Sequence, residues 1–179
     1  MTRQVALLRG VNVGKAKRVA MADLRSLVED LGFRDVRTVL NSGNVVYTSP
    51  RATPASAGAS IEKALFQKLG VQSRVTVLDR AELAAAVDAN PLAKTCDNHS
   101  RLLAFVLAGA GTRTKLTALA KRAWGKEKLA LGARVAYAWC PNGFMDSPLR
   151  EALDEALGDA ATTRNWATMM KLDALVRSS

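Results

Sequence analysis

The order of the predicted elements is the feature that most constrains the fold of this chain. Short apolar runs predict four strands in the first half, at residues 5–8, 36–40, 45–48 and 75–78. Apolar residues at i, i+3, i+4 and i+7 predict a first helix over residues 24–31. Apolar residues from 61 to 69 mark a second helix, with Thr53-Pro54 as a helix entry and Gly70 as its end. The resulting βαββαβ order is typical of a ferredoxin-like sheet.

A second set of elements follows a short third helix. Asp79 and Glu82 have the spacing of a capping box and predict the start of that helix. Asn90-Pro91 ends it. Strands and helices then repeat the βαββα order, although no repeat of residues is visible. The strands fall at 102–108, 128–131 and 135–139, and the helices begin at Thr112 and Ser147. Residues 162–166 and a last helix stand where a fourth strand would come.

The sequence therefore predicts an α+β protein of two ferredoxin-like subdomains with antiparallel sheets, the second incomplete and ending in helices. The first subdomain spans residues 1–79, a helix and a polar linker occupy 80–100, and the second subdomain spans 101–179.

Composition excludes several classes of function. Nearly half of the 179 residues are apolar, enough for a core without disulfides or metals. Cys96 and Cys140 are too few and too far apart for a disulfide framework or a zinc site, and His99 is the only histidine. We expect no metal and no cofactor. The N-terminus lacks a signal peptide, and no segment reaches the ~18 apolar residues of a membrane span, so a cytoplasmic protein without a membrane partner is expected.

The charge is strongly positive, at +10. Such a surface favours polyanions, including nucleic acid. Basic residues also surround Trp124 in the stretch 121–128, a pattern that can bind nucleic acid. A GC-rich coding bias explains the overall charge equally well, and a solvated helix end explains the cluster.

Polar and flexible residues crowd the end of the first strand, in the stretch Leu7–Lys15. Arg9, Asn12 and Lys15 stand there beside two glycines, which core formation does not require. The segment from Gly10 to Lys15 is not a nucleotide-binding P-loop, because its spacing is one residue short and an alanine replaces the magnesium-binding hydroxyl.

The predicted topology places this loop beside a hairpin. In a ferredoxin-like sheet the end of the first strand and the connection between the second and third strands lie on one edge. Arg9 and Asn12 are therefore expected near Asn41, Ser42 and Asn44, where a cation and several polar groups suit an anionic ligand. The alternative is that the hairpin residues simply form a tight turn.

Arg164 and Asn165 are the remaining candidates for the ligand site. They would present a cation and an amide to the same ligand. The alternative is a helix start, with a polar cap and with Trp166 packed beside Met169 in the core.

Motifs spread along the chain occur at Leu7–Gly14, at a helix that begins with Met21, and at Gly32-Phe33, Ser42-Gly43-Asn44, Tyr137–Gly143 and Thr163–Trp166. Together they resemble one family, the bacterial family catalogued as domain of unknown function 1697. The resemblance extends from Val5 to Leu175 and implies a cytosolic bacterial protein of two ferredoxin-like subdomains; it implies no activity. Lys15 stands where another glycine is expected, which makes the loop stiffer and more basic.

The leading hypothesis is binding of a small anionic ligand, a nucleotide or a phosphorylated metabolite, at the edge that bears Arg9 and Ser42. One alternative is nucleic-acid binding over a diffuse basic surface. Another is an enzyme whose reaction and catalytic residues the sequence does not identify. The sequence specifies no oligomeric state.

Overall fold

The computed structural model describes residues 1–178 and contains two four-stranded antiparallel sheets. Two compact units are distinguished: residues 1–83 with 172–178, and residues 84–171. The α+β class and the antiparallel sheets predicted from the sequence are confirmed. The predicted division with a separate linker at 80–100 stays a prediction.

The first unit has the βαββαβ order and the strand order β2-β3-β1-β4. Strand β1 pairs antiparallel with both β3 and β4. Strand β2 runs in the same direction as β1, a tight turn reverses the chain into β3, and the helical crossover to β4 keeps the direction of β3. The elements are β1 (Thr2–Leu8), α1 (Met21–Asp30), β2 (Arg34–Val39), β3 (Asn44–Ser49), α2 (Pro54–Leu69) and β4 (Val75–Asp79). Helix α3 (Arg80–Asp88) follows β4, and the boundary between the two units falls within it.

Local sequence signals explain where these helices begin and end. Pro54 occupies the first turn of α2, and the Thr53 hydroxyl accepts a hydrogen bond from the Ser56 amide. Gly70 ends α2 with φ +64°, a left-handed conformation in which glycine carries no Cβ penalty. At α3, Asp79 and Glu82 exchange the two hydrogen bonds of a capping box, as predicted.

The core of the first unit lies between one face of its sheet and helices α1 and α2. Alternation along each strand sends every second side chain to this face. The buried residues include Ala6, Leu8, Val45, Tyr47 and Val77 from the strands and Leu24, Val28, Ile61 and Leu65 from the helices.

The second unit repeats this topology, with strand order β6-β7-β5-β8. Its core is formed by apolar side chains of its two central strands and of the helix over Pro148–Leu157. The elements are β5 (Leu102–Leu107), a 3-10 helix (Ala110–Leu116), α4 (Thr117–Ala120), β6 (Lys128–Leu131), β7 (Val135–Trp139), α5 (Pro148–Leu157) and β8 (Ala161–Asn165). Helix α6 (Trp166–Arg177) follows β8, and its residues from 172 onward belong to the first unit.

The prediction of an incomplete second sheet is wrong. Residues Ala161–Asn165 form the fourth strand, β8, which pairs antiparallel with β5 from Leu103↔Asn165 to Leu107↔Ala161. The segment reads as polar because two threonines, an arginine and an asparagine occupy it. Pairing with a buried neighbouring strand, and not apolar alternation, makes it a strand.

A second correction concerns the helix expected from Thr112. The chain forms a 3-10 helix over Ala110–Leu116, and only Thr117–Ala120 is α-helical. The Thr114 hydroxyl bonds to the Gly111 carbonyl within the tight turns. Such local bonds, together with glycine, disfavour a regular α-helix.

Candidate functional site

The loop that follows β1 carries the first predicted site residue, Arg9, on a fixed backbone. The Arg9 amide donates to the Arg74 carbonyl at 2.9 Å, and the Arg9 carbonyl accepts from the Ser73 hydroxyl at 2.9 Å. Both backbone groups are therefore held by the segment that leads into β4. The Arg9 side chain is half-buried.

Asn12 closes this loop and joins it to the hairpin. Its amide Nδ2 donates to the carbonyls of Val19 and Asn41, both at 2.8 Å, and its Oδ1 accepts from the Val19 amide at 2.9 Å. The structure thus brings Asn12 and Asn41 together. Because both polar atoms of the Asn12 side chain are engaged, we assign Asn12 a positioning role in the loop.

The hairpin between β2 and β3 is held by its own side chains. Asn44 is fully buried, and its Nδ2 donates to the Val39 carbonyl at 2.8 Å and to the Ser42 hydroxyl at 2.9 Å. These bonds match the tight-turn alternative for Ser42 and Asn44. Whether the hairpin residues also bind a ligand stays a prediction.

Gly43 explains why the loop and the hairpin lie so close. A Cβ at Gly43 would lie 2.6 Å from Val11 Cγ2 and 2.8 Å from Leu8 Cβ, and Gly43 has φ +78°. The Gly43 carbonyl also accepts from the Leu8 amide at 2.9 Å. Sequence reasoning recognised the glycine as a turn residue but missed this contact, since no local signal reports the approach of Val11.

Beyond Asn12 the loop is exposed and basic. Residues 13–18 are exposed, and they include Lys15, Lys17 and Arg18. Residues 1–22 contain lysine and arginine but no aspartate or glutamate. We call residues 9–18 the basic loop. It presents four cations on a segment whose base is pinned by Asn12.

Arg164 and Asn165 lie on β8 of the second unit. Asn165 Oδ1 accepts from the Thr168 amide at 2.9 Å and so caps α6, in agreement with the helix-start alternative. Trp166 is buried and meets the Tyr137 ring edge-on at 5.9 Å. Arg164 is 8% exposed, and desolvation lowers the pKa of its guanidinium to about 10.

The basic stretch around Trp124 has a structural explanation. The Arg122 guanidinium stacks over the Trp124 ring at 4.4 Å, and the indole nitrogen donates to the Leu119 carbonyl at 2.9 Å. One face of the indole is therefore covered by Arg122, and its N–H is hydrogen-bonded within the second unit.

The part of the chain that the structure describes holds neither a cluster of metal-ligating side chains nor a membrane-spanning helix. Within residues 1–178, no group of three or more His, Cys, Asp or Glu side chains is arranged to hold a metal ion. In the same range, no helix is both long enough and apolar enough to cross a bilayer.

Two ferredoxin-like units, the first of which carries the basic loop, define the class: a duplicated α+β protein with antiparallel sheets. The chain belongs to the family described as Protein of unknown function (DUF1697), whose model matches residues 1–137.

A solved structure supports the same fold over nearly the whole chain. A conserved bacterial protein from Streptococcus pneumoniae matches with a TM-score of 0.79 and 23% sequence identity, covering 98% of this chain and 98% of that chain. At that identity the likeness concerns the fold alone. Among curated proteins, none matches the chain significantly.

Proposed function

We propose that this protein binds a small phosphate-bearing ligand, a nucleotide or a phosphorylated metabolite, at the basic loop. The observation that carries the proposal is the fixed backbone of Arg9, held at both its amide and its carbonyl. A guanidinium on a fixed backbone offers two parallel donors to a phosphate with little loss of entropy. Lys15, Lys17 and Arg18 add positive charge on the exposed part of the loop.

The hairpin supports this proposal indirectly. Asn12 joins the loop to Asn41, and Gly43 lets Val11 pack against the hairpin. The polar residues Asn12, Ser42 and Asn44 then shape the loop, while Arg9 and Lys15 contact the ligand. Because the hairpin holds the base of the loop through Asn12, little backbone has to become ordered on binding, and this lowers the entropic cost of association.

The first test is the substitution Arg9→Lys, measured by calorimetric titration with ADP and with glucose 6-phosphate. We expect a normally folded variant that loses about 1.5–3 kcal/mol of binding free energy, the value of a hydrogen bond to a charged group. Arg51→Lys is the matched control, because Arg51 is an exposed arginine that follows β3. A wild-type protein that binds neither compound, with Arg9→Lys lowering the melting temperature, would assign Arg9 a purely structural role.

Nucleic acid is the second candidate ligand, and the exposure of Lys15, Lys17 and Arg18 favours it. Contacts to a phosphate backbone release counterions, so log K falls with log salt by about 0.7–0.9 per phosphate contacted. Replacing these three residues by glutamine should reduce that slope by about two to three. Tight binding of an oligonucleotide that collapses at physiological salt, with no binding of ADP, would favour this candidate over the first.

A further inference from the structure

A cavity of about 280 Å³ lies within the second unit, between helix α5 and the edge strand β8. Arg150 and Asp154 of α5 line it on one side, and Thr163, Arg164 and Asn165 of β8 line it on the other. Its volume is close to the lower end of the about 300–1,000 Å³ that small-molecule sites span. A ligand with one ring or one short chain is the size that suits it.

The first unit shows why this cavity exists. Its topologically equivalent helix, α2, packs closely on the equivalent strand, β4. Gly58 permits this, because a Cβ there would lie 2.9 Å from the Val75 carbonyl oxygen. In the second unit α5 makes only sparse contact with β8. The space between this helix and the edge strand is therefore closed in the first unit and forms a cavity in the second.

The charges that line the cavity favour an anion of low charge. Arg150 and Arg164 contribute two cations and Asp154 one carboxylate, which leaves a net charge of +1 (2 − 1). The Arg150–Asp154 pair is loose, with 3.5 Å between the guanidinium nitrogen and the carboxylate oxygen. A monoanion would neutralise this net charge, whereas a phosphate dianion would leave a net negative charge in the cavity.

Arg150 is the cation of the lining that a ligand can reach more easily. Its side chain is 31% exposed, whereas Arg164 is 8% exposed and donates to the Thr163 carbonyl. The Arg150 Nε is itself buried, so the terminal nitrogens of this guanidinium are the donors that a carboxylate would contact. A carboxylate can accept from both terminal nitrogens of one guanidinium at once.

The remaining lining is apolar and continues to an exposed lip. Leu103 and Phe105 of β5 form the floor, and Phe144 lines the rim. Phe144 is 41% exposed and its neighbour Met145 is 72% exposed. An apolar floor and rim beside a few polar groups suit a ligand with an apolar body.

We propose that this cavity binds a small organic monoanion, a carboxylate carried on an aromatic or branched apolar body. Arg150 receives the carboxylate, while Leu103, Phe105 and Phe144 contact the apolar part. The inference is independent of the proposed function, since every residue it uses belongs to the second unit and none to the basic loop.

The test is a titration of the ¹⁵N-labelled full chain, followed by NMR, with three probes: 3-phenylpropionate, its neutral analogue 3-phenylpropanamide, and inorganic phosphate. We expect 3-phenylpropionate to shift the amide signals of Leu103, Phe105, Phe144 and β8, and to bind at least tenfold more tightly than either other probe. Arg150→Gln should remove that tenfold preference for the carboxylate over the amide.

Arg25→Gln is the matched control, because Arg25 pairs with Glu29 at i,i+4 on an exposed helix face as Arg150 pairs with Asp154. It should bind 3-phenylpropionate like the wild type. Phe144→Ser provides a second variant and should weaken both organic probes several-fold. Equal binding of acid and amide, or unchanged binding by Arg150→Gln, would overturn the inference. Shifts confined to residues 9–18 would also overturn it, while leaving the proposed function standing.

Discussion

At the scale of single residues, the motif after β1 is explained largely by contacts that shape the backbone. Asn12 and Asn44 donate to carbonyls of the loop and the hairpin, and the Ser42 hydroxyl accepts from Asn44. Gly43 makes room for Leu8 and Val11. Polar residues that cluster in a sequence can therefore mark a closely packed connection as readily as a ligand site. Arg9 differs from them, because the Arg74 carbonyl and the Ser73 hydroxyl hold its backbone.

Gly43→Ala tests the close approach at this hairpin. The new methyl group would meet Val11 and Leu8 at distances below 3.0 Å, in a backbone with φ +78°. We expect a loss of about 2–4 kcal/mol in the free energy of unfolding, from overpacking and from the left-handed backbone together. Chemical denaturation measures it. Gly10→Ala is the control: it has a similar φ of +67° but no atom within 4 Å of its Cβ, so its loss should be smaller.

The two tyrosines predict opposite responses to the same substitution. The Tyr137 hydroxyl donates to the Ala86 carbonyl at 2.6 Å, whereas the buried Tyr47 hydroxyl has no hydrogen-bond partner among residues 1–178. Tyr137→Phe should cost about 1–2 kcal/mol of stability, and Tyr47→Phe should be neutral or slightly stabilising, since it removes an unpaired polar group. Urea unfolding at neutral pH compares the two. A larger loss for Tyr47→Phe would contradict this reading of the core.

At the scale of elements, the two units start their second helix with the same local signal. Thr53-Pro54 begins α2 and Ser147-Pro148 begins α5, each with a hydroxyl that accepts from a backbone amide of the first turn. The two caps differ in their surroundings. Thr53 is exposed, whereas Ser147 is buried and lies 3.3 Å from Cys140 Sγ.

This difference predicts unequal costs for removing the caps. Thr53→Ala should cost about 0.5–1 kcal/mol of stability, because water can replace an exposed cap. Ser147→Ala should cost about 1–2 kcal/mol, because the Arg150 amide would lose its partner at a buried position. Denaturant midpoints for both variants measure the difference. Equal losses would mean that burial does not strengthen the cap.

At the scale of the whole molecule, the protein is one topology used twice with different packing. The strand orders β2-β3-β1-β4 and β6-β7-β5-β8 correspond position by position. Helix α1 of the first unit is replaced in the second by a 3-10 helix and the short α4. Each unit also buries a single tyrosine, on β3 and on β7.

Because burial holds both tyrosines neutral, stability should fall at alkaline pH. Burial raises the pKa of Tyr137 to about 12 and also raises that of Tyr47, from an ordinary value of 10. Unfolded tyrosine therefore loses its proton from about pH 10, while the folded form keeps it. The stabilisation is fully present below pH 10 and is lost as pH rises toward 12, by about 1.4 kcal/mol per pH unit for each tyrosine.

Urea unfolding at pH 9, 10 and 11 measures this slope. Tyr137→Phe should lose one tyrosine's share of it and Tyr47→Phe the other. The informative quantity is the difference in slope between each variant and the wild type, because this difference isolates the contribution of the replaced tyrosine. A variant whose slope equals that of the wild type would show that its tyrosine ionises equally in both states.

The sequence by itself determined the features that depend on neighbours along the chain. The capping box at Asp79 and Glu82, the start of α2 at Pro54 and its end at Gly70 all follow from hydrogen bonds and backbone conformations within a few residues. The element order, read from short apolar runs for the strands and from helical spacing for the helices, then indicated the ferredoxin-like sheets.

Only the tertiary structure decided the features that depend on distant residues. The polar segment Ala161–Asn165 became a strand because β5 offered it a backbone partner. The cavity beside Arg150 was not predicted, because it depends on how far α5 lies from β8 and not on any spacing along the chain. Local signals reach about four residues, whereas a site is made by residues that folding brings together.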